Sequence, residues 1–138
     1  GAGTGIWSRM MAERNPNSLI AIEPNEEMRN QGIKDSKNHK ISWINGSAEK
    51  TLLQDQSIDL ATMASSFHWA DFNKALEEFN RVLKSDGIFV ALWNPRYLSN
   101  STLLKKIAGC GGIKPIFNFF GFQFFAEYFL ITFPFSLN

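Results

Sequence analysis

Gly1-Ala2-Gly3-Thr4-Gly5 is the stretch from which the fold reads outward. Glycines this dense let a backbone turn sharply and let a ligand come close, because no Cβ stands in the way. The residues that follow, Ile6-Trp7-Ser8-Arg9-Met10-Met11-Ala12-Glu13, read as a helix with mixed apolar and polar faces. A glycine turn that opens a helix is a ready site for a nucleotide-like ligand. The element expected before such a turn is a buried strand, and the sequence starts at the glycine itself. The chain therefore reads as a piece of a larger domain.

Working outward, Asn15-Pro16 is expected to stop the first helix, because proline disfavours a helical residue before it. Ser18-Leu19-Ile20-Ala21-Ile22 has the profile of a short strand buried on both faces of a parallel sheet. Asn25 is placed to cap a helix through Glu26, Glu27, Met28 and Arg29, with Gly32 as its stop. Lys40 to Asn45 reads as another strand, ending at Gly46, after which Leu52 and Leu53 are expected to tuck inward. Ser57 to Ala64 is a further strand that runs into Ser65-Ser66-Phe67-His68-Trp69.

Asp71 then caps the clearest helix. Its apolar positions Phe72, Ala75, Leu76, Phe79, Val82 and Leu83 recur at spacings of three and four, which is one helical face. Ser85-Asp86-Gly87 reads as a turn, and Ile88 to Trp93 as the next strand, closed by Asn94-Pro95. Strands alternating with helices give an α/β fold with a mainly parallel sheet. Ligands of such sheets sit at the carboxyl ends of the strands. The unusual residues lie at those ends: the glycine loop, Glu23, Gly46 to Glu49, and Ser65 to Trp69.

Glu23 is the second anchor, 18 residues beyond Gly5 (23 − 5) and at the end of the next strand. An acid about 20 residues on is where a carboxylate reaches both hydroxyls of a ribose. Its two oxygens suit a vicinal diol. Taken without the loop, the same residue is simply a solvated glutamate.

Gly1-Ala2-Gly3-Thr4-Gly5, Ile22-Glu23-Pro24, Gly46-Ser47-Ala48-Glu49, Ser66-Phe67-His68-Trp69 and Leu83-Lys84-Ser85-Asp86-Gly87-Ile88 follow one another in a set order. In this the chain resembles the class I S-adenosylmethionine-dependent methyltransferases, most of all the type-11 branch, which includes enzymes acting on quinone precursors and small carboxylic acids. The resemblance covers residues 1 to about 96. It implies a Rossmann-like fold: a mainly parallel sheet with flanking helices, here lacking its first strand and the closing strand pair. The family's sheet would place that first strand in the centre, between the strands at 18–22 and 58–64.

The resemblance also implies roles. Gly1, Ala2, Gly3, Thr4 and Gly5 would wrap the methionine part of S-adenosyl-L-methionine. Glu23 would hold the ribose, with Pro24 and Met28 on the adenine side. The backbone of Ala48 and the side chain of Glu49 would face the adenine ring. Ser47 stands where many relatives carry an aspartate, so a hydroxyl would make that contact without charge assistance. Ser65 and Phe67 would flank the sulfonium end, where an aromatic face can favour a cation. The reaction implied is direct displacement, a substrate nucleophile attacking the methyl group in line, with alignment as the enzyme's main contribution.

His68 is the candidate base, since its ordinary pKa of about 6.5 suits proton transfer near neutral pH. The alternative is a histidine that packs or makes one structural hydrogen bond. Trp7, Trp43 and Trp93 read as core or wall residues, and His39 as a surface residue. Two other classes compete with the methyltransferase reading. A nicotinamide-dependent oxidoreductase shares the glycine loop and the acid, but leaves Gly46 to Glu49 and Ser66 to Trp69 without a role. A non-catalytic interaction module would keep the methyltransferase shape without turnover.

Bulk properties narrow the field. The 138 residues are long enough for one domain with a sizeable core and not for two, and 44% apolar and 20% charged content are ordinary for a globular protein. A net charge of +1 gives no hint of nucleic acid or an acidic membrane. Cys110 stands alone, which excludes an internal disulfide and a cysteine-built metal site, and no other grouping has metal-ligand spacing. A reducing cytoplasm fits, as does a small-molecule methyl acceptor as partner.

Composition changes sharply near residue 107. Beyond Ile107 the only charged side chains are Lys114 and Glu127, and nine of the 13 phenylalanines lie from Phe117 to Phe135. We therefore divide the chain into residues 1–96, a partial cofactor-binding domain, and 97–138, an unassigned Phe-rich segment. Ser99 to Ile107 reads as a helix start and Gly109 to Gly112 as a flexible break. Three readings of the rest stay open: pocket lining, a membrane-touching segment, or sequence foreign to the domain. Asn118, Gln123 and Glu127 interrupt the apolar run and tell against insertion.

Overall fold

The computed structural model describes residues 1–93, 114–115 and 129–134. The expected helix at 99–107, the break at 109–112, most of the Phe-rich run and the side chain of Trp93 lie outside the described residues. Helix α1 spans Ile6–Ala12, α2 Glu26–Asp35 and α3 Phe72–Val82. Strands β1 (Ile20–Ile22), β2 (Ser42–Ile44), β3 (Ile58–Ala64) and β4 (Leu83–Trp93) alternate with them. Strands β5 (Lys114–Pro115) and β6 (Phe129–Pro134) follow.

The pairing is parallel where the alternation predicts it. β1 lies parallel to β2, with Ala21 opposite Trp43, and β3 lies parallel to β4, with Thr62 opposite Val90. Both helix caps are as the sequence implies. The Asn25 side chain accepts from Met28 N at 2.9 Å and that of Asp71 from Lys74 N at 3.2 Å, each satisfying a donor at a helix start.

Five features differ from the expectations, the partial burial of His39 among them. Gly32 does not stop α2, which runs on to Asp35; it lies inside the helix because the Trp43 ring occupies the space of any Cβ there. Ser85-Asp86-Gly87 is absorbed into β4 as an irregularity of register, where Ile58 faces Leu83 but Leu60 faces Ile88. Leu52 does not tuck inward; its backbone is left-handed and its side chain is exposed. Finally, the segment after 96 contributes sheet. β6 pairs antiparallel along Ile88 to Trp93 of β4, and β5 pairs with β6, so antiparallel strands close this edge where none were expected. His39 is half-buried, and its Nδ1 is enclosed without a hydrogen-bond partner.

The core sits between α3 and the β3–β4 pair. Phe67, Phe79 and Phe89 meet there, with ring centroids 4.5 Å apart for Phe79 and Phe89 and 5.1 Å for Phe67 and Phe89. Such contacts add about 0.5–1.5 kcal/mol per pair beyond simple burial. Ala75 and Ala91, both fully buried, let α3 approach the sheet closely.

The described sheet is split. β1–β2 and β3–β4–β6–β5 form separate sheets, and no described strand lies between β1 and β3. A slot of about 350 Å³ runs between them, lined by all of β1 and all of β3, with Trp7, Phe79 and Val82. Its position matches the place the resemblance reserves for a central first strand. At its carboxyl end, Ala2 N donates to Ile22 O at 2.9 Å, and Gly1 packs against Ser66. No helix among the described residues is long and apolar enough to cross a membrane.

Candidate active site

The glycine loop takes the conformation its composition allows. Gly3 and Gly5 both have left-handed backbones, with φ of 58° and 78°, which side-chain-bearing residues adopt at a cost. The loop closes on itself as Gly5 N donates to Ala2 O at 3.0 Å, and Arg9 braces it by donating to Thr4 O at 2.8 Å. Around Gly3 the space a Cβ would fill is open, whereas Gly5 is packed against the Trp43 ring. The first glycine therefore faces a ligand-sized opening and the second serves packing.

Glu23 meets this loop directly. Its Oε2 accepts from Gly3 N at 2.7 Å and its Oε1 from Asn25 N at 3.0 Å, and the residue is 5% exposed. A buried carboxylate is tolerated only when hydrogen-bonded, and here both oxygens are. Each oxygen keeps a further lone pair for an incoming donor. Arg29 donates to Glu23 O at 2.8 Å and so fixes the main chain that presents the side chain.

Loop and acid open on a cavity of about 770 Å³, a size suited to a cofactor with a small substrate. It gathers most of the residues expected at the site: Gly1, Ala2, Gly3, Thr4, Glu23, Pro24, Met28, Ser47, Ala48, Glu49 and Ser65. Ser65 is held with φ 53°, a left-handed conformation uncommon for serine, by its N–H donating to Leu92 O at 2.7 Å. Strain of that kind is tolerated where surrounding structure over-determines it, often at functional sites.

Glu49 is engaged on the far wall. Its Oε1 accepts from Asp71 N at 2.8 Å, which ties the 46–49 loop to the start of α3. Burial works to raise its pKa, but hydrogen bonds from Ser47 and from backbone groups outweigh this and hold the carboxyl below its ordinary value. Glu49 is therefore charged at neutral pH.

Three expected residues stand outside the cavity's lining. Gly5 is one, for the packing reason above. Phe67 is the second: it is 2% exposed and packs among Phe72, Phe79 and Phe89, so it belongs to the core. His68 is the third. Its ring stands on the exposed surface beside Trp69, with centroids 5.0 Å apart. The short 3-10 turn Phe67–Trp69 explains the split, since successive side chains on a tight turn point in different directions.

The cavity also includes residues outside the quoted motifs, Ile6 and Met10 on α1, Met63 near the end of β3, and Ala70, together with Ser66 and Trp69, which lie in a quoted motif that assigns them no role of their own. Trp7, read as core or wall, is a wall. It lines both this cavity and the slot, and its Nε1 donates to Thr62 at 2.9 Å. Ile6 and Met10 lie four residues apart on the helix after the loop, so one face of that helix was the available signal.

Comparison with known proteins agrees with this geometry. The model of a methyltransferase domain family matches residues 1–91. An uncharacterized methyltransferase-like protein of Schizosaccharomyces pombe is 34% identical over 96 residues, covering 70% of this chain and 37% of the relative. A ubiquinone/menaquinone biosynthesis C-methyltransferase of Campylobacter jejuni is 33% identical over 97 residues, covering 65% of this chain and 40% of the relative. This chain thus spans well under half the length of either relative. Among solved structures, an S-adenosylmethionine-dependent methyltransferase of Aquifex aeolicus aligns with a TM-score of 0.69 at 20% identity, over 96% of this chain and 77% of that one, a likeness of fold. With a glycine loop, a carboxylate and a Rossmann-like sheet arranged in this way, the chain belongs to the methyltransferase domain family.

Proposed function

We propose that residues 1–96 are the cofactor-binding part of an S-adenosyl-L-methionine-dependent methyltransferase acting on a small-molecule acceptor. The observation that carries this reading is the hydrogen bond from Gly3 N to Glu23 Oε2 at 2.7 Å, at the edge of a cavity large enough for the ligand. One carboxylate and one loop thereby address a single occupant. The residues present fit an adenosyl ligand. Open space over Gly3 admits close backbone approach, Glu23 has lone pairs for a diol, and Pro24, Met28 and Ala48 provide apolar walls for a flat base. When bound, the cofactor supplies a methyl group on a positively charged sulfur.

The chain's own contribution is placement. In this reading Glu23 and the loop would hold the ribose and the methionine part, Ser47 to Glu49 would wall the base, and Ser65, just past β3, would stand near the sulfonium end; all of them line the cavity. The carboxylates that line the cavity, Glu23 and Glu49, are both occupied by backbone donors. His68 lies outside the lining, so we assign it no catalytic role. Among the described residues no side chain is assigned as a base, and an acceptor nucleophile that ionises readily or carries a free lone pair needs none.

The test is calorimetric titration and thermal-shift measurement of a full-length version with S-adenosylhomocysteine and, separately, NADH. Stabilisation by the homocysteine compound alone is expected. Stabilisation by NADH alone would favour an oxidoreductase. Cofactor binding without methyl transfer across a broad acceptor screen would favour a non-catalytic module.

A further inference from the structure

Trp43 stands outside the cavity's lining, yet both partners of the Gly3–Glu23 contact lean on it or on its strand. Its ring lies between glycines of two different elements. A Cβ built on Gly5 would come within 2.8 Å of the far edge of the indole, and one built on Gly32 of α2 would come closer still to the same edge. Carbon atoms pack at about 3.5–4.0 Å, so the ring occupies the side-chain space of both glycines.

Gly5 is the junction of loop and helix. Its N–H donates to Ala2 O at 3.0 Å, and its carbonyl accepts from Arg9 N at 2.9 Å. It closes the glycine loop and starts α1 at once. With no side chain it has no packing of its own, and the indole bears on it from the side. The acid is tied to the same strand. Glu23 N donates to Ile44 O at 3.1 Å, one residue past Trp43. Arg29, three residues before Gly32 on α2, donates to Glu23 O at 2.8 Å. Loop and acid thus meet across β2, one through the Trp43 ring, the other through the Ile44 carbonyl and α2.

The side chain itself shows that reach is what matters. Trp43 Nε1 is buried with no hydrogen-bond partner among the described residues. An enclosed, unpaired donor is a cost that phenylalanine or leucine would not carry. The atoms that touch both glycines are Cζ2 and Cη2 of the far ring, and a phenylalanine would end short of them.

We infer that Trp43 is a positioning residue: its ring seats the glycine loop against Glu23 and so sets cofactor affinity from outside the cavity. The affinity rests on the cofactor reading above; the seating of Gly3 against Glu23 does not.

Two measurements on the full-length protein test this. Amide hydrogen exchange reads the Gly3 N–H without any ligand, and titration calorimetry reads S-adenosylhomocysteine binding. Trp43→Phe is expected to speed exchange at Gly3 at least tenfold relative to amides of the β3–β4 ladder, and to weaken binding at least tenfold. Adding Gly32→Ala fills the space left beside α2 but not that beside Gly5. The double variant should regain most of the lost melting temperature while both other losses persist. If Trp43→Phe alone does not fold, the double variant carries the same comparison with the native protein. Unchanged exchange at Gly3, unchanged affinity, or recovery of both in step with the melting temperature would overturn the inference, since a merely structural tryptophan behaves in that last way. If S-adenosylhomocysteine does not bind the native protein while exchange at Gly3 still depends on Trp43, the seating role stands and the cofactor reading falls.

Discussion

Glu23 carries both a structural and a functional load. Removing its carboxylate orphans the N–H groups of Gly3 and Asn25, and an unsatisfied buried donor costs about 1–3 kcal/mol. Glu23→Ala is therefore expected to lower stability by about 2 kcal/mol in urea unfolding, and to weaken S-adenosylhomocysteine binding at least tenfold by calorimetry. Glu23→Gln keeps one acceptor and should fall between.

Glu78 sets an acid limit. Its carboxyl accepts from Arg81 and from Thr51 N at 2.8 Å, pinning the 51–55 loop to α3. Arg81 above all, against the opposing effect of burial, holds its pKa down to about 2, from an ordinary 4.5. The folded value lies below the unfolded one, so the unfolded chain takes up the proton first as pH falls. The stabilisation is complete above about pH 4.5 and is lost as pH drops through about 2. Unfolding free energy measured across that window should decline in the native protein and flatten in Glu78→Gln.

At the scale of elements, α2 provides the sharper test. Glycine inside a helix normally costs about 1 kcal/mol relative to alanine, so Gly32→Ala would ordinarily stabilise. Here the Trp43 ring lies where the new Cβ must go. Overpacking costs about 1–3 kcal/mol, so the substitution is expected to lower the melting temperature. Pairing it with Trp43→Leu should recover much of the loss. β4 offers the converse. Phe89 is fully buried among Phe67 and Phe79. Phe89→Ala should cost about 3–5 kcal/mol, enough to unfold most of the population in a circular-dichroism melt.

The whole molecule is governed by its split sheet. β1 and β3 present strand edges to a slot with no described strand between them, and unpaired backbone groups next to apolar side chains are costly. Residues 1–138 by themselves are expected to fold marginally, melting below about 45 °C, the lower end for mesophilic domains. They should bind cofactor more weakly than about 100 µM. An apolar strand of five or six residues fused ahead of Gly1 should raise the midpoint by several degrees. Micromolar S-adenosylmethionine binding by residues 1–138 alone would contradict this.

Local signals were enough for the elements and for the main polar contact of the site. Asn25 and Asp71 announce their helices because capping is a contact between residues three apart. The loop and Glu23 could be joined on paper because a strand carries a residue at its end to a predictable place. Gly32, Phe67 and His68 could not be placed that way. Whether a glycine ends a helix or makes room for an indole depends on Trp43, which arrives from another strand. Whether an aromatic residue lines a cavity or fills a core depends on the direction of one tight turn. Sequence alone determined the α/β order, the caps and the pairing of loop with acid, all short-range or set by a regular element. Tertiary structure alone decided which side chains face the cavity, because that follows from packing between segments distant in the chain.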